Sequence, residues 1–299
     1  MVEAARPAGA RKSAAAFLKR PGAITFLQLL PGTLWIVVFV GISLVSTAMF
    51  SFWKSGFSGL KPIYNVDNYT STLTDNTFWS QTVWTFEVVA ILLAGVILIS
   101  YPAAFFLWRV VKSERAQTAI LLLCIIPFWT SYLTRMITWI PMFGREGVVN
   151  HALTKLGLVD QPLSFLLYTP YSMMLSLWFL YVVFMIGPIY FSMTRIDESL
   201  IAAASTLGAR PWKVLVRIIL PLTKPGLLAG SLFVVLFGFA EFFTERAIGG
   251  AQQPMLAQLV QSQVYIFNFA KASAISMLLI VISLAVVSFM LRFIDIRKI

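Results

Sequence analysis

The sequence is poor in the residues on which disulfides, metal sites and solubility in water depend. Only 12% of its 299 residues are charged, about half the share found in a typical soluble domain. It holds one cysteine, Cys124, and one histidine, His151. An internal disulfide is therefore excluded, and so is a metal site of the usual cysteine and histidine kind within this chain.

Motifs for nucleotide binding and nucleophilic catalysis are missing as well. The sequence has no Gly-x4-Gly-Lys-Ser/Thr phosphate loop, so nothing in it would cradle ATP, and no serine lies in a nucleophile elbow. His151 has no second histidine or cysteine near it and is interpreted as a surface residue, while Cys124 is interpreted as a packing residue. We expect no catalytic residue and no cofactor in this chain, and an integral membrane enzyme is disfavoured.

The sequence is rich in long apolar segments. Hydrophobic residues make up 59% of the chain, and a membrane-spanning helix needs about 20 predominantly apolar residues in succession. The apolar runs show no period-two alternation, which favours helices over barrel strands. Six segments are long enough to span a membrane: residues 24–52, 81–108, 117–141, 170–194, 226–244 and 272–294.

The basic residues predict the orientation of these spans. With the N-terminus in the cytoplasm, sixteen Lys and Arg residues fall on the inner side and six on the outer side, the asymmetry that membrane topology follows. The net charge of +11 therefore does not indicate nucleic-acid binding. We predict one all-α membrane domain with both termini cytoplasmic. It divides into the N-terminal segment 1–23, the first helix and periplasmic loop 24–79, the transmembrane core 80–294 and the C-terminus 295–299.

The inner loop 195–221 carries the most specific pattern. Its first half favours a helix, which Asp197 or Ser199 can cap and the alanines 202–204 propagate. Gly208 can end that helix in a left-handed turn, and Pro211 can begin a second one. The pattern predicts a helix–glycine–helix element beneath the membrane bundle, suited to docking a cytosolic partner.

This loop resembles the EAA loop of the binding-protein-dependent ABC importer permeases. Gly208 is followed, after nine residues, by Ile218-Ile219-Leu220-Pro221, which reproduces the family's spacing. Other stretches extend the likeness over about residues 80–290, and together they are most similar to the PotB-type polyamine permeases. These stretches are Arg135–Trp139, Gly147–Asn150, Leu156–Asp160, Thr223–Gly226 and Gly249–Gly250.

The resemblance implies a MetI-like, type I importer fold of six transmembrane helices in the bacterial inner membrane, with a polyamine such as spermidine or putrescine as substrate. It implies three protein partners besides membrane lipid: a second homologous permease, a periplasmic or lipid-anchored binding protein, and a cytosolic ATPase dimer that binds ATP and Mg. It assigns ATPase coupling to residues of the inner loop: Glu198, Ala202, Ala203, Gly208, Ala209, Ile218, Leu220 and Pro221.

One residue departs from the family's pattern. Ala202 stands where the motif has its signature glutamate. Glu198 lies four residues earlier, on the same face of a helix, and is a candidate to replace it. The alternatives are that the backbone shape alone makes the contact, or that one contact is simply weaker.

Charged residues within the spans are candidates for the substrate pathway, because charge inside a bilayer is costly. Glu87, Arg135 and Glu241 are of this kind, Glu245 lies close to the outer end of the fifth span, and Trp139 belongs to the same stretch as Arg135. Glu241 and Glu245 are predicted to share a helix face, where acids and aromatic rings suit a cation. For Arg135 the alternative is an ion pair with one of these acids, or contact with lipid headgroups.

Other functions remain open from the sequence. The same architecture would serve the import of iron, phosphonates, opines or sugars. A self-sufficient secondary carrier would commonly show an inverted repeat, and no convincing repeat is present.

Overall fold

The computed structural model describes residues 21–56 and 59–292, and these are mainly helical. The basic residues of the predicted N-terminal segment 1–23 and the predicted C-terminus 295–299 lie outside the described residues. Two short strands, β1 (Lys54–Gly56) and β2 (Gly59–Lys61), pair in antiparallel fashion. The helices of the described ranges are α1 (Pro21–Ile36), α2 (Ile42–Ser51), α3 (Asp67–Leu73), α4 (Asn76–Arg109), α5 (Glu114–Ile125), α6 (Tyr132–Phe143), α7 (Val148–Lys155), α8 (Pro170–Met193), α9 (Glu198–Thr206), α10 (Pro211–Val214), α11 (Leu220–Leu222), α12 (Lys224–Phe239), α13 (Thr244–Ala247), α14 (Leu256–Tyr265) and α15 (Phe269–Leu291).

The centre of the fold is the packing of α8 against both α4 and α12, which also pack against each other. Small residues let α8 and α12 approach each other closely, as is common between membrane helices. A Cβ atom placed on Gly226 of α12 would collide with the carbonyl group of Pro188 and the hydroxyl group of Ser192 on α8. One turn further along, a Cβ atom on Gly230 would press against Met185.

The first apolar segment lies at the periphery. Helix α1 continues through a π-helical turn (Val37–Gly41) into α2, and Pro31 lies inside α1. Helix α2 packs against α15, and α15 in turn packs against α14. In the most apolar 18-residue stretch of this first span, no residue is buried by the rest of the chain. An apolar helix without protein neighbours on most of its surface fits a lipid environment.

Two helix pairs of the described ranges are bent: one falls within the predicted span 117–141, and the other joins the inner loop to the start of the predicted span 226–244. The predicted span 117–141 is broken into Glu114–Trp129 and Tyr132–Lys155, which meet at 95°. Pro127 lies in the 3-10 turn at this break, where its missing N–H and its ring interrupt the helix. Likewise, Pro211–Leu222 meets Lys224–Phe239 at 65°.

The number of spans depends on how these bent pairs are counted. Four unbroken helical segments of the described ranges are long and apolar enough to cross a membrane, and each bent pair adds one if it crosses as a unit, giving up to six. The four are Gln28–Ser51, Asn76–Arg109, Pro170–Met193 and Phe269–Leu291. The fold is thus that of a helical membrane protein with four to six candidate spans.

The inner loop has the helix–glycine–helix form that its sequence predicts. The side chain of Asp197 caps α9 by accepting a hydrogen bond from the N–H of Ser199 at 2.9 Å, which lowers the pKa of the Asp197 carboxyl below its usual 3.8. Gly208 follows α9 with a φ of 78°, a conformation that glycine adopts without strain. Pro211 is the first residue of α10, which continues through a π-helical turn (Leu215–Ile219) into α11.

Candidate functional site

A buried carboxylate lies where the helix of the fifth apolar segment stops. Helix α12 ends at Phe239, and the chain resumes helical form only at Thr244. Glu241 lies in this break with 3% of its surface exposed. The prediction that Glu241 and Glu245 share one helix face is therefore wrong, because the helix ends before Glu241 and Glu245 lies in the separate helix α13.

The same carboxylate explains why the helix breaks there. Oε1 of Glu241 accepts hydrogen bonds from the backbone N–H groups of Phe243 at 3.0 Å and Thr244 at 2.9 Å. A side chain that bonds the N–H groups two and three residues ahead offers the backbone an alternative to the helical ladder. Glu241 thus caps the start of α13.

Two tyrosines from other helices complete the surroundings of Glu241. The hydroxyl group of Tyr132, on α6, donates to Oε1 at 2.5 Å, and that of Tyr181, on α8, donates to Oε2 at 3.2 Å. The Oγ1 atom of Thr244 lies 2.9 Å from the Tyr132 oxygen. Since Tyr132 already donates its proton to Glu241, Thr244 is the donor in that contact. Oε1 is therefore saturated, whereas Oε2 has one partner and keeps the capacity for another.

A cavity of about 280 Å³ opens beside this carboxylate. We call it the Glu241 cavity. Its wall is mostly aromatic, and it holds one acidic and one basic side chain. The lining residues are Phe128, Tyr132, Arg135, Leu180, Tyr181, Phe184, Phe237, Ala240, Glu241 and Phe242.

Arg135 lies across this cavity and forms no ion pair within the described part of the chain. Its guanidinium carbon is 4.4 Å from the centroid of the Phe128 ring, a cation–π contact. Its Nε atom is buried without a hydrogen-bond partner. The predicted alternative, in which Arg135 pairs with one of the acids, is therefore wrong: a ring face rather than a carboxylate holds the cation.

Trp139 lies one turn beyond Arg135, beside a second cavity of about 310 Å³ that both residues line. Its ring stacks on Phe143 at 4.8 Å and contacts Phe179 at 5.2 Å between centroids. Trp139 does not line the Glu241 cavity. Its position is that of a packing residue with one edge on a cavity.

Glu245 faces a different region from Glu241. It is buried, with 3% of its surface exposed, and does not line the Glu241 cavity. Burial raises the pKa of its carboxyl, and the backbone N–H groups of Gln253 and Gln252 partly offset that effect. Glu245 therefore faces the loop after α13.

Glu87 lies apart from both of these acids. It is exposed on α4 and lines a separate groove with Trp79, Trp84 and the loop 252–254. The four predicted charged residues thus occupy three places, and only Arg135 and Glu241 share a cavity.

The predicted coupling residues divide into exposed and packed groups. Glu198, Ala202 and Ala203 are exposed on α9, and Glu198 pairs with Arg109, at the end of α4, across 3.7 Å. Gly208 is exposed and Ala209 half-buried. Ile218 packs partly against the hydrophobic core, whereas Leu220 and Pro221 are exposed.

Sequence reasoning missed four residues that shape these two regions. Tyr132 and Tyr181 bind Glu241, and no one-dimensional pattern pairs residues so far apart. On the inner loop, Leu207 is 87% exposed and Trp212 is 58% exposed. The signal was available for these two, since large apolar residues beside the turn glycine of a loop predicted to face the cytosol have no core to enter. His151 is exposed, as predicted, and Cys124 is half-buried.

Comparison with known proteins gives consistent matches. The family model described as "binding-protein-dependent transport system inner membrane component" matches residues 95–297. The spermidine/putrescine transport system permease PotB of Haemophilus influenzae is 30% identical over 245 residues, covering 81% of this chain and 84% of that protein. PotB of Escherichia coli K12 is 29% identical over 232 residues, covering 77% and 82% respectively.

The fold is matched by a solved structure. The crystal structure of a bacterial alginate ABC transporter, in complex with a periplasmic protein bound to an alginate pentasaccharide, contains a similar chain with a TM-score of 0.74. The match covers 92% of this chain and 95% of that one at 17% identity. At this identity the likeness concerns the fold alone.

Proposed function

The chain belongs to the binding-protein-dependent transport system inner membrane components, and from that premise we propose that it couples half of a translocation pathway to a cytosolic ATPase. Members of this family are non-enzymatic membrane subunits of ABC importers, and this chain is an inner-membrane permease subunit of that kind. The finer parts of the proposal are the topology, the coupling loop and the substrate.

The topology we propose has six spans with both termini in the cytoplasm. It counts each bent helix pair as one crossing and follows the distribution of basic residues. The partners are then a second, homologous permease that supplies the other half of the pathway, an ATPase dimer that binds ATP and Mg on the inner side, and a binding protein on the outer side.

The coupling loop is proposed to dock on the ATPase through the turn between α9 and α10. Leu207 and Trp212 flank this turn with 87% and 58% of their surfaces exposed. Large apolar side chains presented to water at a sharp turn mark an interaction surface. The segment after this turn is anchored to the bundle by two buried residues, Val214 at the end of α10 and Ile219 at the end of the π-helical turn, so a force on the turn reaches α12. These exposed and anchored groups are the observation that carries the coupling proposal.

The substrate we propose is a polyamine or a similar small cation. The Glu241 cavity combines one carboxylate oxygen that still has acceptor capacity with several aromatic ring faces, and both hold ammonium groups. The names of the two relatives point to spermidine and putrescine. We therefore assign Oε2 of Glu241 and the rings of the cavity to substrate contact.

A second candidate is a substrate that carries an anionic group as well, such as an opine or a phosphonate. One observation favours it: Arg135 lines the same cavity without an ion pair in the described ranges, and its Nε atom has no partner. A pure polycation would be repelled by this guanidinium, whereas a zwitterion would span the two charges.

Competition experiments separate the two candidates. The complex, isolated through a tag on this chain with its ATPase and binding protein, is reconstituted with ATP inside vesicles, and uptake of labelled spermidine is measured. Unlabelled putrescine is expected to compete, and an opine is not. Competition by the opine alone would favour the second candidate. In the same assay, Glu241→Gln is expected to weaken spermidine uptake. The control is Glu146→Gln, which removes an exposed outer acid and is expected to leave uptake intact.

A further inference from the structure

The largest of the cavities described for this chain is a groove of about 870 Å³ beside the first three turns of α4. We call it the outer groove. Its other wall is the loop that follows α13. The lining residues are Asn76, Thr77, Trp79, Ser80, Gln81, Val83, Trp84, Glu87, Gln252, Gln253 and Pro254.

The groove is elongated because its α4 wall follows one face of a helix. Asn76, Ser80, Trp84 and Glu87 succeed one another at spacings of four, four and three residues, which places them on one side. Eleven residues of helix separate the first from the last, a length of about 16 Å. This shape suits an extended, flexible chain better than a compact ligand.

One end of the groove is acidic. Glu87 is the single charged residue among those that line it, and its carboxylate forms no ion pair within the described ranges. The other end lies at the N-terminus of α4, where the Asp75 carboxylate accepts a hydrogen bond from the N–H of Thr77 at 2.9 Å and offsets the positive helix dipole. Because Glu87 is the charged residue of the groove's lining, an ammonium group of a ligand is expected at that end.

Two further polar groups of the groove lack partners. Gln81 is 9% exposed, and its Oε1 atom is buried without a hydrogen bond. The Nε1 atom of Trp84 is likewise buried and unpaired. Since a buried polar atom without a partner costs about 1–3 kcal/mol, these atoms indicate a place where a polar group from outside is accommodated. An acceptor such as Oε1 of Gln81 matches an N–H donor.

The aromatic residues supply the remaining contact. Trp79 is 51% exposed and lines the groove on the turn before Trp84. Tryptophan gives the strongest cation–π attraction of the aromatic side chains, and its face also packs against methylene groups.

From this arrangement we propose that the outer groove binds the protonated amine end of a linear aliphatic amine before the amine reaches the Glu241 cavity. The ammonium group contacts the Glu87 carboxylate and Oε1 of Gln81, and the methylene chain lies along Trp84 and Trp79. The inference rests on the proposed function for its role in transport, whereas the binding event itself is a property of this chain alone.

Binding is tested on the full-length chain in nanodiscs of phosphatidylcholine, a lipid without net charge, with labelled spermidine as the probe. Glu87→Gln removes the charge and keeps the shape, and Gln81→Leu removes the unpaired acceptor. Each is expected to weaken binding roughly fivefold, as for the loss of one charge-assisted contact in a groove open to solvent. Glu146→Gln, which removes an exposed acid outside the groove, is the matched control and is expected to bind as wild type does. Equal affinities of wild type and Glu87→Gln would overturn the proposal.

The amine of a phosphatidylethanolamine headgroup has the same chemistry as a soluble amine. Nanodiscs that contain this lipid separate the two sources: spermidine affinity is expected to stay unchanged, and loss of spermidine binding would show that the groove takes a lipid amine instead. The proposed function fails separately. If the whole complex imports no amine but the chain still binds spermidine in a Glu87-dependent way, the polyamine assignment is wrong and the groove is not.

Discussion

Tyr132 donates a hydrogen bond of 2.5 Å to Oε1 of Glu241, and this bond joins α6 to the break that follows α12. Tyr132 begins the second half of one bent helix pair, and Glu241 lies just after the end of the other. Oε1 also accepts hydrogen bonds from the N–H groups of Phe243 and Thr244. This one oxygen therefore holds the break after α12 in place and links it to α6. Oε1 of Glu241 therefore has a structural role, whereas Oε2 keeps the capacity to accept a hydrogen bond from a ligand.

Tyr132→Phe removes the hydrogen bond to Oε1 without changing the size of the ring. We expect a loss of about 1–2 kcal/mol in the free energy of unfolding, the range for a buried hydrogen bond to a charged group in a membrane protein. Denaturant unfolding of the purified chain in mixed micelles measures it. Tyr171→Phe, at a 75% exposed position, is the control and is expected to change little. Equal effects of the two substitutions would show that the Tyr132 bond contributes nothing.

Gly226→Ala tests the close approach of α12 to α8. A Cβ atom there would meet the backbone carbonyl of Pro188, so the helices must separate, at a cost of about 1–3 kcal/mol. Gly187→Ala is matched, because Gly187 lies within α8 and its added Cβ atom meets nothing within 4 Å. The thermal unfolding temperature is expected to fall for Gly226→Ala and to stay level or rise for Gly187→Ala. A stable Gly226→Ala variant would contradict the packing described.

The inner loop was open to prediction from sequence to a degree that the cavity was not. Its cap at Asp197, its turn at Gly208 and its restart at Pro211 each depend on the conformational preference of a single residue, which is legible locally. The break after Phe239 depends instead on a carboxylate that competes with the helix and on tyrosines far away in the chain. The apolar segment extends to residue 244 in the sequence, so the prediction continued the helix through the break. In a continuous helix, the spacing of four residues would place Glu241 and Glu245 on one face.

Glu198→Ala tests whether this residue replaces the glutamate that the motif lacks at Ala202. The pair of Glu198 with Arg109 is long and solvent-exposed, so its loss is expected to change the unfolding free energy by less than about 1 kcal/mol. If Glu198 contacts the ATPase, substrate-stimulated ATP hydrolysis by the complex falls while stability holds. Unchanged hydrolysis would show that Glu198 does not replace the missing glutamate.

The cap of α9 is expected to respond to pH through Asp197. The folded protein lowers the pKa of this carboxyl below 3.8, so the cap stabilises α9 at neutral pH and its contribution is lost as the pH falls through the lowered value. Asp197→Asn keeps an N-cap that does not titrate. Amide exchange of residues 198–206 is expected to be alike in both proteins at pH 6. The wild type is expected to lose its protection relative to the variant only below about pH 4, and divergence at pH 6 would contradict this role.

The proposal that this permease couples ATP hydrolysis to import through the exposed turn of its inner loop is tested most directly by transport. Uptake of labelled spermidine is measured in vesicles that hold the whole complex with ATP inside, for wild type, Leu207→Asp and Leu156→Asp. Leu156 is similarly exposed, at 72%, but belongs to the loop after α7. The account predicts vanadate-sensitive uptake by wild type and Leu156→Asp, with loss of uptake and of ATPase co-purification in Leu207→Asp. ATP-dependent uptake by Leu207→Asp at the wild-type rate would contradict it.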